Sequence, residues 1–249
     1  MDTFNRILVL AHVAGGLLAL VIALVPMVAP KGGKWHVKAG QIYFWAMMWV
    51  MASAVVLSCT KRFVFFLLGV TVLSFYNTFT GVRCLYLKGR GAANARGRWL
   101  DWCISGAVLI FGIAMMGHGL ATWSENQMLA ILSVLFAGLL LSDVSKDILR
   151  FLRPSQDPKW WWYYHLQRMM GSWVAGVTAL AVNQIGPRLP GNYRIWVWIG
   201  PAMIITPVIF AWTSYYRKKF SPKKNTDTAI TLDRRPEGAI QASPGQRPG

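Results

Sequence analysis

The fold is decided by apolar runs such as FNRILVLAHVAGGLLALVIALVPMVA, which covers Phe4–Ala29 and contains a single charged residue, Arg6. About 20 apolar residues suffice for a helix to cross the hydrocarbon core of a bilayer. The whole chain of 249 residues has this character, since 55% of it is hydrophobic, only 14% is charged and the mean hydropathy is +0.39. Soluble domains carry about 25% charged residues. A water-soluble fold cannot cover so much apolar surface, so the sequence predicts a protein embedded in lipid.

Seven runs have the length and composition of spanning segments. They are Phe4–Ala29, Gln41–Thr60, Phe63–Leu87, Leu100–Ala121, Gln127–Leu149, Trp161–Ile185 and Ile195–Tyr216. Their apolar residues are continuous rather than alternating, and lipid tolerates only helices or closed barrels, so helices are expected. The predicted fold class is therefore all-α, a polytopic transmembrane bundle of about seven helices.

The rest of the chain is polar. Residues 1–217 are expected to form the transmembrane domain, and residues 218–249 a disordered basic tail, because they lack apolar periodicity and are rich in Lys, Arg, Pro and Gly. The glycine-rich loop 88–98 is expected to be mobile. The three cysteines, Cys59, Cys84 and Cys103, all fall in apolar runs, which predicts free thiols packed as small hydrophobic groups.

The distribution of Lys and Arg predicts the orientation of the bundle. The first, third and fifth loops and the tail together carry 19 of these residues, and the opposite side carries 5. The positive-inside rule then places the N-terminus outside and the C-terminus inside, in the cytoplasmic (inner) membrane. The net charge of +17 is interpreted as an orientation signal and as contact with anionic lipid headgroups, not as a nucleic-acid interface. A homo-oligomer or a separate redox partner is compatible with the sequence.

Four histidines are the main chemical lead. The topology places His12 and His118 toward the outer face on two different helices, and His36 and His165 toward the inner face on two others. Imidazole nitrogens are axial ligands of haem iron. Two pairs, one in each leaflet, predict two bis-histidine haem b sites that conduct electrons across the membrane. No His-x-x-His or Glu-x-x-His spacing predicts any metal other than haem iron.

The depth of each histidine tests this pairing. At about 1.5 Å per residue, His12, His118 and His165 each lie roughly 7–8 Å inside an interfacial residue, whereas His36 lies almost at the interface. The inner pair therefore requires the second helix to begin before Trp35. Of the two sites, the outer one has the better matched depths and is favoured if only one haem is bound.

Other ionisable residues gather near the inner face. They are Arg83, Asp101, Asp143 and Arg168, and charges inside a membrane usually pair or face a cavity. Arg168 follows His165 by three residues and shares its helix face. It is expected to bind a haem propionate, a substrate anion or a structural acid, of which Asp101 is the best candidate. The sequence leaves open whether this cluster is structural or a site.

Three stretches resemble a family of bacterial multi-pass membrane proteins, the domain of unknown function 2306 (DUF2306). The first is Lys31-Gly-Gly-Lys-Trp-His-Val-Lys-Ala-Gly-Gln-Ile-Tyr-Phe-Trp-Ala-Met47, the second is His12-Val-Ala-Gly15, and the third begins at His165-Leu-Gln-Arg-Met-Met-Gly-Ser-Trp173 and runs to Asn183. The resemblance covers helices one to six and not the tail. It implies a multi-pass helical protein of the cytoplasmic membrane and no particular activity.

Two other classes of function remain beside haem-mediated electron transfer. One is a proton-coupled small-molecule transporter or channel that uses the inner ionisable cluster, and the other is a membrane scaffold without catalysis. No P-loop, nucleophile elbow or dinucleotide fingerprint is present in the sequence, so no catalytic residue is predicted. A membrane oxidoreductase subunit is the only enzyme class that the histidines suggest.

Overall fold

A computed structural model describes residues 3–60, 65–88 and 97–220, and in these ranges the chain is a bundle of α-helices with no strand. The helices are α1 (Thr3–Ile22), α2 (Leu24–Val28), α3 (Lys34–Thr60), α4 (Phe65–Leu87), α5 (Trp99–Ala121), α6 (Gln127–Leu152), α7 (Trp160–Gln184) and α8 (Arg194–Phe220). Because α1 and α2 together form the first span, the predicted all-α bundle of about seven helical segments is confirmed.

Six of the seven segments are long and apolar enough to cross a membrane, so this is a multi-pass membrane protein. The exception is α7, the predicted span Trp161–Ile185, whose first turns, Trp160–Arg168, consist of polar and aromatic residues apart from one leucine. It packs against α4 on one side and α8 on the other. Protein therefore covers much of α7, and a helix in that position does not need an uninterrupted apolar surface.

Unlike a soluble protein, the bundle has many large apolar side chains on its surface. Large apolar side chains such as Leu10, Ile110 and Ile204 are about 70% exposed, as expected for groups that face lipid. The interior contains polar groups, among them Asp147, Ser105 and Arg168. A large buried apolar cluster lies between α4, α5 and α6, where Gly69 leaves room for Met115 and a β-carbon would collide with its sulfur.

Two predicted boundaries are wrong. The second span begins at Lys34 and not at Gln41, directly after Gly32 (φ +80°) and Gly33 in the connecting turn. His36 therefore lies inside the helix. The helix begins before Trp35, as the inner histidine pair requires. The last helix continues to Phe220, so 218–220 are helical and not part of a disordered tail.

Some predictions concern residues outside the described ranges. The tail from 221 to 249 and residues 89–96 of the loop 88–98 lie outside them, so their predicted disorder and mobility stay predictions. Of the cysteines, Cys84 is buried as expected, while Cys103 is exposed on the outer surface of the bundle.

Candidate functional site

The inner histidines meet at one end of the bundle. The rings of His36, in the first turn of α3, and His165, near the start of α7, have centroids 6.4 Å apart and planes inclined by 60°. Sequence separation gives no hint of this approach, because the two residues are 129 positions apart. The packing of α4 against α7 and of α3 against α4 brings the two helices to the same end.

The imidazole of His36 is oriented by the carbonyl of Pro26. A helical carbonyl accepts a hydrogen bond from the amide four residues later, but the residue four positions after Pro26 is Pro30, which has no N–H. The Pro26 carbonyl is therefore left for side chains, and it accepts from Nδ1 of His36 at 3.0 Å. A carbonyl cannot donate, so this nitrogen carries the proton and Nε2 has a free lone pair.

The second imidazole is oriented in the same way by a different helix. Nδ1 of His165 donates to the carbonyl of Gly81 on α4 at 2.7 Å. Gly81 permits this approach because a β-carbon there would lie 2.9 Å from the sulfur of Met169 and 3.0 Å from the β-carbon of Arg168. His165 is thus held in the same tautomer as His36, with Nε2 unprotonated.

Both imidazoles have the arrangement of metal ligands. A ligating histidine usually donates its other ring N–H to a carbonyl or carboxylate, which fixes the tautomer and the orientation of the ring. Among the described residues, no hydrogen bond engages Nε2 of either ring, and no group of three or more His, Cys, Asp or Glu side chains is placed to hold a metal ion. Zinc usually takes three or four protein ligands, whereas haem iron takes only two axial ones. The donor set therefore fits haem better than a free metal ion.

A cavity of about 1470 Å³ adjoins the pair. Its walls are mainly aromatic and aliphatic, and they include Tyr43, Phe44, Trp45, Phe79, Tyr86, Trp161, Leu166, Met169 and Trp173. Gly40 lies one turn after His36 on α3 and also lines the cavity. A β-carbon at Gly40 would meet no atom within 4 Å, so the space beside the imidazole is open.

The charges around this cavity are all positive. Lys31, Lys38, Arg83 and Lys88 line it, and no aspartate or glutamate does in the part of the chain that the structure describes. Only Arg83 has a carboxylate partner, since it binds Asp101 through two hydrogen bonds of 2.8 and 3.2 Å. Partial burial lowers the pKa of Lys31, because desolvation disfavours its ammonium form, and an anionic ligand beside it would stabilise that form. The cavity suits an amphipathic ligand with an apolar body and acidic groups.

The outer histidines are not brought together. Nδ1 of His12 hydrogen-bonds Oγ of Ser53 on the neighbouring α3 at 2.9 Å, and the ring of His118 on α5 lies against Phe65 on α4, with centroids 5.1 Å apart. No ring contact between His12 and His118 is found, although both residues are described. The predicted outer haem site therefore has no structural support from this geometry.

Arg168 does not line the cavity, and the prediction that Asp101 is its partner is wrong. Asp101 is occupied by Arg83 and by the backbone N–H of Arg98, which its carboxylate accepts at 2.8 Å as part of the α5 N-terminal cap. The guanidinium of Arg168 instead binds Asp143 at 2.8 Å and Asp147 at 3.0 Å. Both acids come from α6. Both Nη groups of Arg168 are thus engaged by protein groups, which gives the residue a structural contact rather than a place in the cavity wall.

Asp147 is the centre of this buried network and was not identified from the sequence. Its side chain is fully buried, accepts hydrogen bonds of 2.7 Å from the hydroxyls of Tyr76 and Tyr164, and pairs with Arg150 at 3.3 Å. Helical spacing offered a signal, because the buried stripe of α6 passes through Phe136, Leu140 and Val144 and reaches Asp147 three residues later. With Asp143, Arg150 and Arg168 the network is electrically neutral, which is how buried charges are normally tolerated.

We expect Asp101 to couple energetically to Arg83 and not to Arg168. In double-mutant cycles the close pair Arg83→Leu and Asp101→Leu should show a coupling energy of about 1–3 kcal/mol. Arg168→Leu and Asp101→Leu should add within about 0.5 kcal/mol, because the two residues share no hydrogen-bond or ion-pair partner. The measurement is the free energy of unfolding in detergent for each single and double variant. Coupling between Asp101 and Arg168 as strong as that with Arg83 would contradict the observed pairing.

The fold thus defines a multi-pass helical membrane protein with a histidine-lined cavity at one end. Comparison with protein-family models, with curated proteins and with solved structures finds no match. The resemblance to the DUF2306 family accordingly stays a prediction, and the function has to be argued from the site itself.

Proposed function

We propose that this protein binds one haem b between His36 and His165 and exchanges electrons through it near the inner face of the cytoplasmic membrane. The observation that carries this proposal is the pair of imidazoles, 6.4 Å apart, each with Nδ1 held by a backbone carbonyl and Nε2 free. Two such nitrogens on opposite sides of one iron atom are the axial ligand set of low-spin b cytochromes.

The surroundings of the pair fit the same group. The open space beside Gly40 and the aromatic walls would accept a flat apolar macrocycle, while the lysines lie where an acidic edge would be stabilised. When bound, haem supplies a one-electron couple between ferric and ferrous iron. His36 and His165 would hold the iron, the apolar walls of the cavity would exclude water from it, and the hydrogen bonds behind the two imidazoles would tune its potential.

The orientation predicted from the sequence supports a cytoplasmic side for this chemistry. Lys31, Lys38 and Lys88, which line the cavity, belong to the strongly basic side that the positive-inside rule assigns to the cytoplasm. With one haem site supported rather than two, the proposal is electron exchange with a donor and an acceptor at this face. Transfer across the whole bilayer would require the outer pair of His12 and His118.

The transporter alternative is favoured by no comparable observation. Its site was expected in the inner ionisable cluster, but Asp101 of that cluster is held by Arg83 and Asp143 by Arg168. The neighbouring Asp147 binds Arg168 and two tyrosines. A carboxylate held by several donors at once is a poor carrier for a proton that must be taken up and released in each cycle.

The proposal is tested by the absorption spectrum of the protein purified from haem-replete cells. We expect a Soret band and a sharp reduced α-band typical of bis-histidine haem b. Gly40→Leu should weaken haem binding, because the added side chain occupies the open space; overpacking of about 1–3 kcal/mol corresponds to roughly tenfold to hundredfold weaker binding.

Gly106→Leu is the matched control for this substitution. Gly106 on α5 also has open space at its β-carbon position but does not line the cavity, so its spectrum should equal that of the unmodified protein. A colourless protein from haem-replete cells would refute the proposal. Equal haem content in both leucine variants would place the haem elsewhere.

A further inference from the structure

Resting on the proposed function, we infer that Lys31 and Lys88 bind the two propionate groups of the haem, so that the site selects a porphyrin with free carboxylates. The side chains that line the cavity carry four positive charges. Of its four cationic side chains, only Arg83 is neutralised by a carboxylate, and no acid lines the cavity among the described residues. The site therefore has an excess of positive charge from three lysines, and a dianionic ligand would offset most of it.

The first ammonium group is placed directly beside His36. Nζ of Lys31 donates to the Pro26 carbonyl at 2.8 Å, and this is the same oxygen that accepts Nδ1 of His36. A second hydrogen bond of 2.7 Å goes to the carbonyl of Met27. An ammonium group has three donors, so one N–H of Lys31 remains for an anion once these two carbonyls are satisfied.

The second ammonium group lies on the His165 side. Lys88 follows Gly81, the acceptor for His165, by seven residues, and this spacing returns to the same face of a helix. Nζ of Lys88 lies 4.9 Å from the ring centroid of Trp161, which is one turn before His165 on α7. Both lysines line the same cavity as the two imidazoles.

This arrangement gives a direction to the bound ligand. The two lysines stand at the end of the bundle where α3 begins and α4 ends, so the acidic edge would face the aqueous boundary. The apolar edge would then extend along α3 toward Gly40 and Trp45, between the aromatic walls. A porphyrin placed the other way would bury two carboxylates among apolar groups and leave both ammonium groups without an anionic partner, which is strongly unfavourable.

The experiment compares haem with its dimethyl ester, which keeps the iron and the macrocycle but lacks both negative charges. The full-length protein, purified from haem-deficient cells, is titrated with each compound and binding is followed at the Soret band. We expect the unmodified protein to prefer haem, with roughly tenfold of the preference lost for each lysine removed, as for hydrogen bonds to charged groups. Lys31→Met combined with Lys88→Met should bind the two compounds equally.

Lys34→Met is the matched control, because Lys34 begins α3 at the same end of the bundle, is exposed and does not line the cavity. It should keep the full preference for haem. Unchanged ester binding by the Lys31→Met, Lys88→Met variant shows that this variant is folded and that only the charge recognition is lost.

The remaining outcomes distinguish a failure of propionate recognition from a failure of haem binding. If the unmodified protein binds haem and ester equally, the lysines do not recognise the propionates, although the haem site stands. If neither compound binds, the haem proposal itself fails. If neither binds but the two lysine substitutions reduce the phosphatidylglycerol retained by the purified protein, the cavity is a site for an anionic lipid, and the inference is overturned.

Discussion

His165→Ala is expected to abolish the haem spectrum, and His36→Ala to remove its low-spin bis-histidine character. Haem b has no covalent link to the chain, so the two iron–imidazole bonds and the packing of the macrocycle are all that hold it. His165 is the more restrained of the two, since Gly81 holds its Nδ1 at 2.7 Å. We therefore expect its loss to reduce haem content to background, as measured by absorbance per protein after purification.

The outer histidines supply the controls. His12→Ala and His118→Ala remove one imidazole each from the same bundle, but their rings contact Ser53 and Phe65 and not each other. Both variants should keep the full α-band. Loss of haem from either of them, with His165→Ala still red, would reverse the assignment and restore the outer site that the depth of the histidines favours from sequence.

Asp147→Asn should be the most destabilising acid-to-amide change in the described part of the chain. The substitution leaves Arg168 and Arg150 facing a neutral group in the interior, and removing one partner of a buried ion pair typically costs about 3–5 kcal/mol. It also gives the hydroxyls of Tyr76 and Tyr164 a weaker acceptor. The effect is measured as the free energy of unfolding in detergent.

Two matched substitutions calibrate this value. Asp143→Asn removes the other acid that binds Arg168, but the Asp143 side chain is 26% exposed, so water screens the loss and we expect a smaller effect. Glu125→Gln, in the exposed turn between α5 and α6, should lie within about 0.5 kcal/mol of the unmodified protein. If Asp147→Asn were as mild as Glu125→Gln, the network would contribute little to stability, and its burial would need a functional explanation.

For Arg168, the sequence correctly predicted an anionic partner but identified the wrong acid. A buried arginine inside a membrane must have an anionic partner, and that argument from charge alone was correct in kind. It selected Asp101 by proximity to the inner face. The structure selects Asp143 and Asp147, because α4 packs against both α6 and α7 and brings Arg168 within reach of these acids. The depth of single residues does not encode this arrangement of helices.

The histidine pairs also show that the depth of single residues does not determine which side chains meet. Depth favoured His12 with His118 and cast doubt on His36, because the second span was predicted to begin at Gln41. Two features correct that estimate. The helix begins at Lys34, immediately after the Gly32–Gly33 turn, and the missing N–H of Pro30 leaves the Pro26 carbonyl free to orient the imidazole. Both features are local and present in the sequence, but their importance depends on where α1, α2 and α3 pack.

The sequence by itself determines that this chain is an all-α membrane protein, because lipid demands long apolar segments whose backbone groups are satisfied internally, and this demand acts on each helix separately. It also predicts which end is basic. Only the tertiary structure decides which helices touch, and therefore that His36 meets His165 across 129 positions while Asp101 pairs with Arg83. The physical reason is that helix–helix contacts in lipid depend on the fit of small residues such as Gly69 and Gly81 against particular partners, and no single helix carries that information alone.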